Sequence, residues 1–383
     1  MIKRTTLIRC TGTIITSIMI VLFISACKNQ ETNCPAYYNI TTGKLQIPSG
    51  PFNPETYVCY KAEGISIDGN LDEEAWQSAE WTNDFVDIEG DLKPEPLHRT
   101  RVKMLWDDSY LYIAAELTEP HIWAKLRQRD TVIFYDNDFE VFIDPDGDTH
   151  EYLELEMNAF NTLWDLMLTR PYRDNGNVVD AWDISGIKSA VKVYGSINDP
   201  SDTDDRWVVE LALPMMVLTE VGSAPGDGDQ WRINFSRVNW RTEIENGTYR
   251  KATDPATGRV YPEYNWVWSA QGIINMHYPE RWAYLQFSEI QAGQGQDEFK
   301  LNPDEDIKWN LRTLYYAQRN YAAEKGSYTS DIDRLLEYGY QMNDYQPCIL
   351  LKPFGYEAYL LSDSSLELWT IDNFGKVYSN KTK

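Results

Sequence analysis

The chain has 383 residues, enough for two domains, and carries 59 acidic against 35 basic side chains, a formal net charge of −24. That balance excludes nucleic acid as a partner, because phosphates call for clustered Lys and Arg. The 14 Trp and 25 Tyr suit either a core or a sugar-binding face, since a pyranose packs axial C–H groups flat on an aromatic ring while its hydroxyls take carboxylate, amide and guanidinium partners.

Residues 1–27 read as a targeting segment. Lys3, Arg4 and Arg9 form a positive start, and Thr11 to Ile24 is an apolar run too short for a stable membrane span. The run ends in Ile24-Ser25-Ala26-Cys27, which resembles a bacterial lipoprotein signal with Cys27 as the acylated first residue. An ordinary secretory signal with an incidental Cys is the alternative. The expected location is the cell envelope, lipid-anchored and facing the periplasm or the outside, with the membrane met only through the lipid. Residues 28–60, with Pro35, Pro48, Pro51 and Pro54, read as a tether and lead-in. An oxidising compartment makes a Cys34–Cys59 disulfide the expectation and leaves Cys348 as a buried thiol. No Cys-x-x-Cys spacing points to structural zinc.

From residue 61 to 290 the pattern is one of short alternating strands. A strand from Gly64 meets a turn at Asp68-Gly69, and one helical turn from Asp72 buries Trp76. Thr100 to Thr118 folds back on itself at Asp107-Asp108-Ser109. Asp136 to Leu168 contains two strictly alternating strands around Asp144-Pro-Asp-Gly-Asp-Thr-His150. Phe139, Val141 and Ile143 share one face with Leu153, Leu155 and Met157, and Asp138, Glu140, Glu154 and Glu156 lie on the other. Closure about Gly147 would set Glu140 opposite Glu154 and Asp138 opposite Glu156, like-charge pairs that ask for a cation, an Arg or a hydroxyl-rich ligand. A solvated outer face is the plain alternative. Further strands are expected at Gly186 to Val193, Trp207 to Leu213, Gln230 to Val238 and Arg281 to Phe287. The fold class is mainly β, an antiparallel β-sandwich. Asp144, Asp146 and Asp148 have the 1-3-5 spacing of a calcium loop. Leu155 stands where an EF-hand needs Glu, and such turns also occur without metal.

The ordered set IDGNLDEEAW, TRVKMLWDDSYLYIAAEL, NDFEVFIDPDG, WVVELALP, WRINFSRVNW and WVWS…PERWAYLQF resembles the family 9 carbohydrate-binding module and its DOMON-like relatives, over Ala62 to Glu289. The resemblance implies sugar binding between stacked aromatics, with calcium elsewhere in the fold and no organic cofactor. It places the first aromatic at Phe134 or Tyr135, a hydroxyl-binding carboxylate at Glu140 and an amide at Asn158. Glu156 falls where the best-known binder has Arg, which reverses the local charge. The second aromatic falls near Met276 or His277, with Trp266 and Trp268 ahead of that loop as substitutes and Trp282 expected in the core.

Residues 302–383 read as a small α+β module, with a helix from Asn302-Pro303-Asp304-Glu305 to Gly326. A short helix from Asp331 to Tyr338 follows, then three strands. This run resembles pilin-like soluble domains without their apolar first helix, which implies packing or a protein partner. The leading function is non-catalytic polysaccharide or oligosaccharide binding by an envelope lipoprotein, supporting glycan capture or degradation by partner proteins. One alternative is a glycoside hydrolase using opposed carboxylates on the central hairpin. A second, by fold analogy, is a haem-binding DOMON-like domain using Met276 or His277.

Overall fold

The computed structural model describes residues 42–379. They divide into two compact units, Ile47–Asn302 and a second containing Pro303 onward together with the described residues before Ile47.

The larger unit is built from β1 (Thr56–Lys61), β2 (Val86–Asp87), β3 (Thr100–Trp106), β4 (Tyr110–Thr118), β5 (Asp138–Asp144), β6 (Tyr152–Asn158), β7 (Leu163–Leu168), β8 (Val178–Val179), β9 (Lys188–Tyr194), β10 (Arg206–Pro214), β11 (Gln230–Asn239), β12 (Thr242–Glu245), β13 (Thr248–Lys251), β14 (Tyr264–Val267) and β15 (Ala283–Gln291), with short helices α1 (Glu74–Ser78) and α2 (Met215–Leu218). The hydrogen-bonded path runs β8-β7-β6-β5-β11-β15-β1-β3-β4-β10-β9, with β14 on β11 and β2 on β14. All its pairings are antiparallel except those of β1 with β15 and β3. The two halves of this path face each other, as period-2 alternation requires. Phe139, Val141 and Ile143 of β5 and Leu153, Leu155 and Met157 of β6 share one apolar cluster with Met104 of β3, Ile113 of β4 and Leu211 of β10. Burying each such side chain contributes about 1.5–3 kcal/mol.

The outer face of the β3–β4–β10 half is covered by the chain leading into α1. Trp76 is fully buried there among Leu105, Tyr112 and Ala114. Glu210 on β10 anchors this segment, accepting from Trp76 Nε1 at 2.9 Å and from the backbone N–H groups of Asp68 and Gly69 at 2.9 and 2.8 Å. Gly69 sits at φ 86°, and a Cβ there would come within 3.0 Å of Lys192, so the turn needs glycine. Residues 64–67 approach this face without forming a strand.

Three sequence expectations are corrected. The lead-in does not extend to residue 60, because β1 starts at Thr56 and pairs with β15. The Cys34–Cys59 disulfide is absent: Cys59 is a buried free thiol facing the core, while Cys348 is disulfide-bonded. Compartment chemistry says that pairs form, not which side of a strand a thiol faces. Cys27 and Cys34 lie outside the described residues. The central hairpin closes two residues away from the expected register. Asp138 faces Asn158, Glu140 faces Glu156 and Phe142 faces Glu154. The cause is the turn. Asp144 accepts N–H groups from both Gly147 and Thr149, and Gly147, Thr149 and Glu151 all have positive φ, so the turn centres on Asp148 rather than Gly147.

The second unit contains α3 (Glu305–Lys325), α4 (Ile332–Leu336) and the antiparallel meander β16 (Cys348–Lys352), β17 (Gly355–Leu361), β18 (Leu368–Asp372), β19 (Val377–Ser379). There are thus four strands where three were expected. The first helix begins two or three residues late, with Asp304 as N-cap. Its carboxylate accepts from Ser362 Oγ and Trp369 Nε1 and so ties the helix start to the sheet. Gly326 ends the helix in the left-handed conformation, its N–H donating to Ala322 O at 2.8 Å. No helix among the described residues is long and apolar enough to cross a membrane.

Candidate functional site

The outer face of β5, β6 and β7 is not solvated. At one end Phe142, Tyr152, Leu166 and Leu168 are covered by Val267, Met276 and Trp282. At the other end the same face turns acidic, and there it opens into a cleft of about 350 Å³. Phe134, Trp164 and Tyr172 supply aromatic walls, Glu140, Glu154, Glu156 and Glu263 carboxylates, and Asn265, Asn275 and His277 further polar groups.

Register explains why these groups meet. Across the sheet Trp164, Glu156, Glu140 and Ser236 are successive cross-strand neighbours on β7, β6, β5 and β11. Phe134 is brought in by the loop before β5. Asp136 accepts from the N–H groups of Lys125 and Leu126, Glu156 Oε2 accepts from Phe134 N–H at 2.9 Å, and Trp240 Nε1 donates to Phe134 O at 2.8 Å.

Electrostatically the cleft is one-sided. Burial pushes the Glu140 carboxyl up to about 7, with the Ser236 hydroxyl lowering it and Glu263 raising it further. Glu154 and Glu156 are held well above the carboxylate range by burial and then by Glu140. Asp138 is raised by burial and by Glu140 and Glu156. The Tyr172 hydroxyl is pushed up to about 12 by burial, with Glu154 and Glu156 adding to it. His277 goes the other way. Burial and the nearby Arg173 lower it to about 3, so its ring is neutral, 2.9 Å from the Tyr152 hydroxyl through Nδ1 and edge-on to Tyr172 and Phe142.

Of the residues expected from sequence, Phe134, Glu140, Glu156 and His277 come together in this cleft. Tyr135 stands beside Phe134, ring centres 4.7 Å apart, but is 55% exposed and outside the cleft wall. Asn158 is fully buried and saturated. Its Nδ2 donates to Leu126 O and Asp136 Oδ2, and its Oδ1 accepts from Phe160 and Thr162 N–H. An amide has two donors and two acceptor sites, so none remains for a ligand. Trp266 and Trp268 are 1% and 2% exposed, packed in the main core, so neither is a stacking platform. Trp282 is core, as expected. Glu154, noted from sequence as a carboxylate in want of a cation, an Arg or a hydroxyl-rich ligand, also lines the cleft. Trp164, Tyr172, Glu263, Asn265 and Asn275 were missed, and of these only Trp164 carried a signal, as an outward position on the next strand.

Asp144, Asp146 and Asp148 offer carboxylate oxygens within 4.8 Å of one another, a hard-oxygen set of the kind calcium takes. Each also accepts turn N–H groups, from Gly147 and Thr149, from Asp148, and from His150. The turn's own amides thus account for the 1-3-5 spacing. Met276 and His277 both line the cleft, but four carboxylates in the wall are the reverse of the apolar slot a porphyrin needs.

Residues 67–230 match the family of carbohydrate family 9 binding domain-like proteins. The exoglucanase XynX of Acetivibrio thermocellus is 28% identical over 118 residues, which is 30% of this chain and 9% of that enzyme. A family 9 carbohydrate-binding module of Caldicellulosiruptor kristjanssonii, solved with cellotriose, is 16% identical over 63% of this chain and 99% of the module, at a TM-score of 0.39. With glucose the figures are 17%, 64%, 100% and 0.39. The chain therefore carries a domain similar to carbohydrate family 9 binding domains.

Proposed function

We propose that this family 9-like domain binds carbohydrate, without turning it over, in the cleft between Phe134, Trp164 and Tyr172. One observation carries the reading: flat aromatic surface and a dense set of planar oxygen partners share one partly open cleft, the combination that a sugar's C–H faces and hydroxyls require. Cys27 would hold the protein on a membrane by its lipid, so that captured glycan stays near partner enzymes or transporters at the cell envelope. The module from Pro303 onward would serve a protein partner.

Catalysis fits the cleft less well. A retaining glycosidase needs one carboxyl kept protonated and another kept ionised. Burial pushes Glu140, Glu154 and Glu156 in the same direction, so the two roles are not separated.

The test is a glycan screen with the chain lacking residues 1–27, followed by calorimetry on each hit. Tyr172→Ala should weaken binding about tenfold, the worth of roughly 1–1.5 kcal/mol of aromatic contact. Products in the binding mixture would move the reading to an enzyme. A Tyr172→Ala variant with unchanged affinity would remove the cleft as the site.

A further inference from the structure

The cleft accounts for Phe134 but not for the residue beside it. Tyr135 is 55% exposed, an aromatic face open to water directly next to a cleft wall. Lys251 reaches it from the β12–β13 hairpin, which lies outside the main sheet. Its Nζ stands 5.6 Å from the centre of the Tyr135 ring and 3.2 Å from that of Trp240. The indole is fixed in place, because Trp240 Nε1 donates to Phe134 O and its backbone N–H to Asn137 Oδ1. The neighbouring Arg250 is ion-paired with Glu243 and Glu245, whereas the Lys251 ammonium makes no hydrogen bond or ion pair among the described residues. A second ammonium stands nearby. Lys125, in the loop before β5, carries its charge 5.6 Å over Trp123 and likewise has no acidic partner within ion-pair range among the described residues.

In a chain with 59 acidic side chains against 35 basic ones, two neighbouring ammonium groups left unpaired need a reason. The acids around them are committed elsewhere. Asp136 spends Oδ2 on the N–H groups of Lys125 and Leu126 and on Asn158, Asp138 is fully buried, and Glu263 lines the cleft. Burial, with Lys125 adding to it, pushes Lys251 down to about 8 against the pull of all three. An indole face attracts an ammonium but takes up none of its three N–H donors as a carboxylate would. A freely solvated lysine extends its ammonium into water, whereas the register of this hairpin turns Lys251 onto the rings beside the cleft. An anion carried by a ligand would meet those donors in charge-assisted hydrogen bonds. The cleft itself disfavours such a group, because Glu140, Glu154, Glu156 and Glu263 line it. An acidic sugar unit therefore belongs outside, against Tyr135.

We infer that Tyr135, Lys251 and Lys125 form an outer subsite for an anionic sugar unit, its ring packed on Tyr135 and its carboxylate or sulfate held by the two ammonium groups. The inference rests on the carbohydrate reading and narrows it. Phe134 and Tyr135, ring centres 4.7 Å apart, serve successive units of one chain, a neutral unit in the cleft and an acidic unit next to it.

The experiment is calorimetry on the chain without residues 1–27 with three galactose-based probes: neutral galactan, oligogalacturonate and sulfated galactan oligosaccharide. At least one acidic probe should bind about tenfold tighter than the neutral one, the uronate if the group is a carboxylate and the sulfated chain if it is a sulfate. The preference should fade as salt rises from about 50 to 500 mM. Lys251→Met and Lys125→Met should each weaken acidic binding about fivefold and together bring it to the neutral level, while Lys251→Arg keeps the preference. Met retains the apolar stem over Trp240, so Tm should stay within a few degrees of wild type. Neutral binding equal to or tighter than acidic binding overturns the subsite, as does a preference that survives in the double variant, or no binding of either acidic probe. Acidic binding that needs Lys251 but is unchanged in Tyr172→Ala keeps the subsite and removes the cleft. Neutral binding lost in Tyr172→Ala, with no gain for the acidic probes, keeps the cleft and removes the subsite.

Discussion

His277 makes the cleft sensitive to acid in a way that can be calculated. In the folded chain burial and Arg173 lower its pKa from 6.5 to about 3, whereas the unfolded chain titrates near 6.5. The folded value is depressed, so the contribution to stability is complete above pH 6.5 and is lost as pH falls toward about 3. Between pH 7.5 and 5 the unfolded state takes up a proton that the folded state refuses. The difference amounts to about 1.5 pH units of unmatched protonation, roughly 2 kcal/mol. At pH 5 the result hardly depends on how far below 5 the folded value lies. The buried carboxylates change in the opposite direction, because their raised values favour the folded state as pH falls. Comparing His277→Asn with wild type removes that background, since the Asn amide can still meet the Tyr152 hydroxyl. Urea unfolding of both proteins at pH 7.5 and 5, in chelator, should show wild type losing about 2 kcal/mol more than the variant. Equal pH dependence, within roughly 0.5 kcal/mol, would refute a buried neutral His277.

Three further outcomes are expected. Glu210→Ala strands the indole of Trp76 and two backbone N–H groups and should cost about 3–5 kcal/mol in urea unfolding, against about 1–2 for Glu210→Gln; equal costs would mean that the anchor is packing rather than hydrogen bonding. Trp266→Ala should destabilise the domain by about 3–5 kcal/mol because the ring is core, while Trp164→Ala should lower Tm by only a few degrees and act on glycan affinity; the reverse ranking would return Trp266 to the surface. Cys59 should resist alkylation in the native protein and react once unfolded, and fast native labelling would place β1 elsewhere.

Much of the sandwich was legible because its core rows alternate. Val102-Met104-Trp106, Leu111-Ile113-Ala115-Leu117 and Phe139-Val141-Ile143 each place one apolar face inward, and all reach the same core. Gly326 ended its helix where expected, since the reason is local to the chain. What alternation cannot report is the environment of the opposite face. Trp266 and Trp268 also alternate, and the pattern is silent on whether that face meets water or another layer. It met the core. Asn158 failed as a site residue for a related reason: its position matched a ligand-binding amide, but the turn after β6 fills its Oδ1 and the segment before β5, through Leu126 O and Asp136 Oδ2, takes its Nδ2.

The register error shows how much chemistry turns on one residue of a loop. Closure about Gly147 would place Glu140 against Glu154 and leave Glu156 with Asp138. Closure about Asp148 puts Glu156 directly across from Glu140 and Asn158 across from Asp138. Glu154 moves beside Phe142 and becomes a wall of the cleft, while Asp138, Glu140 and Glu156 gather below it. The residues are the same in both pairings. The difference lies in Asp144, whose two oxygens take Gly147 and Thr149 N–H and wind one more residue into the turn. Strand pattern fixes which face a carboxylate occupies, and turn chemistry fixes which carboxylate it meets. A shift in Asp144 therefore reaches the cleft without touching it. Asp144→Ala should loosen the hairpin register and with it the meeting of Glu140 and Glu156 in the cleft, read as a loss of protection from amide hydrogen exchange across β5 and β6; unchanged exchange there would mean that the turn does not set the register.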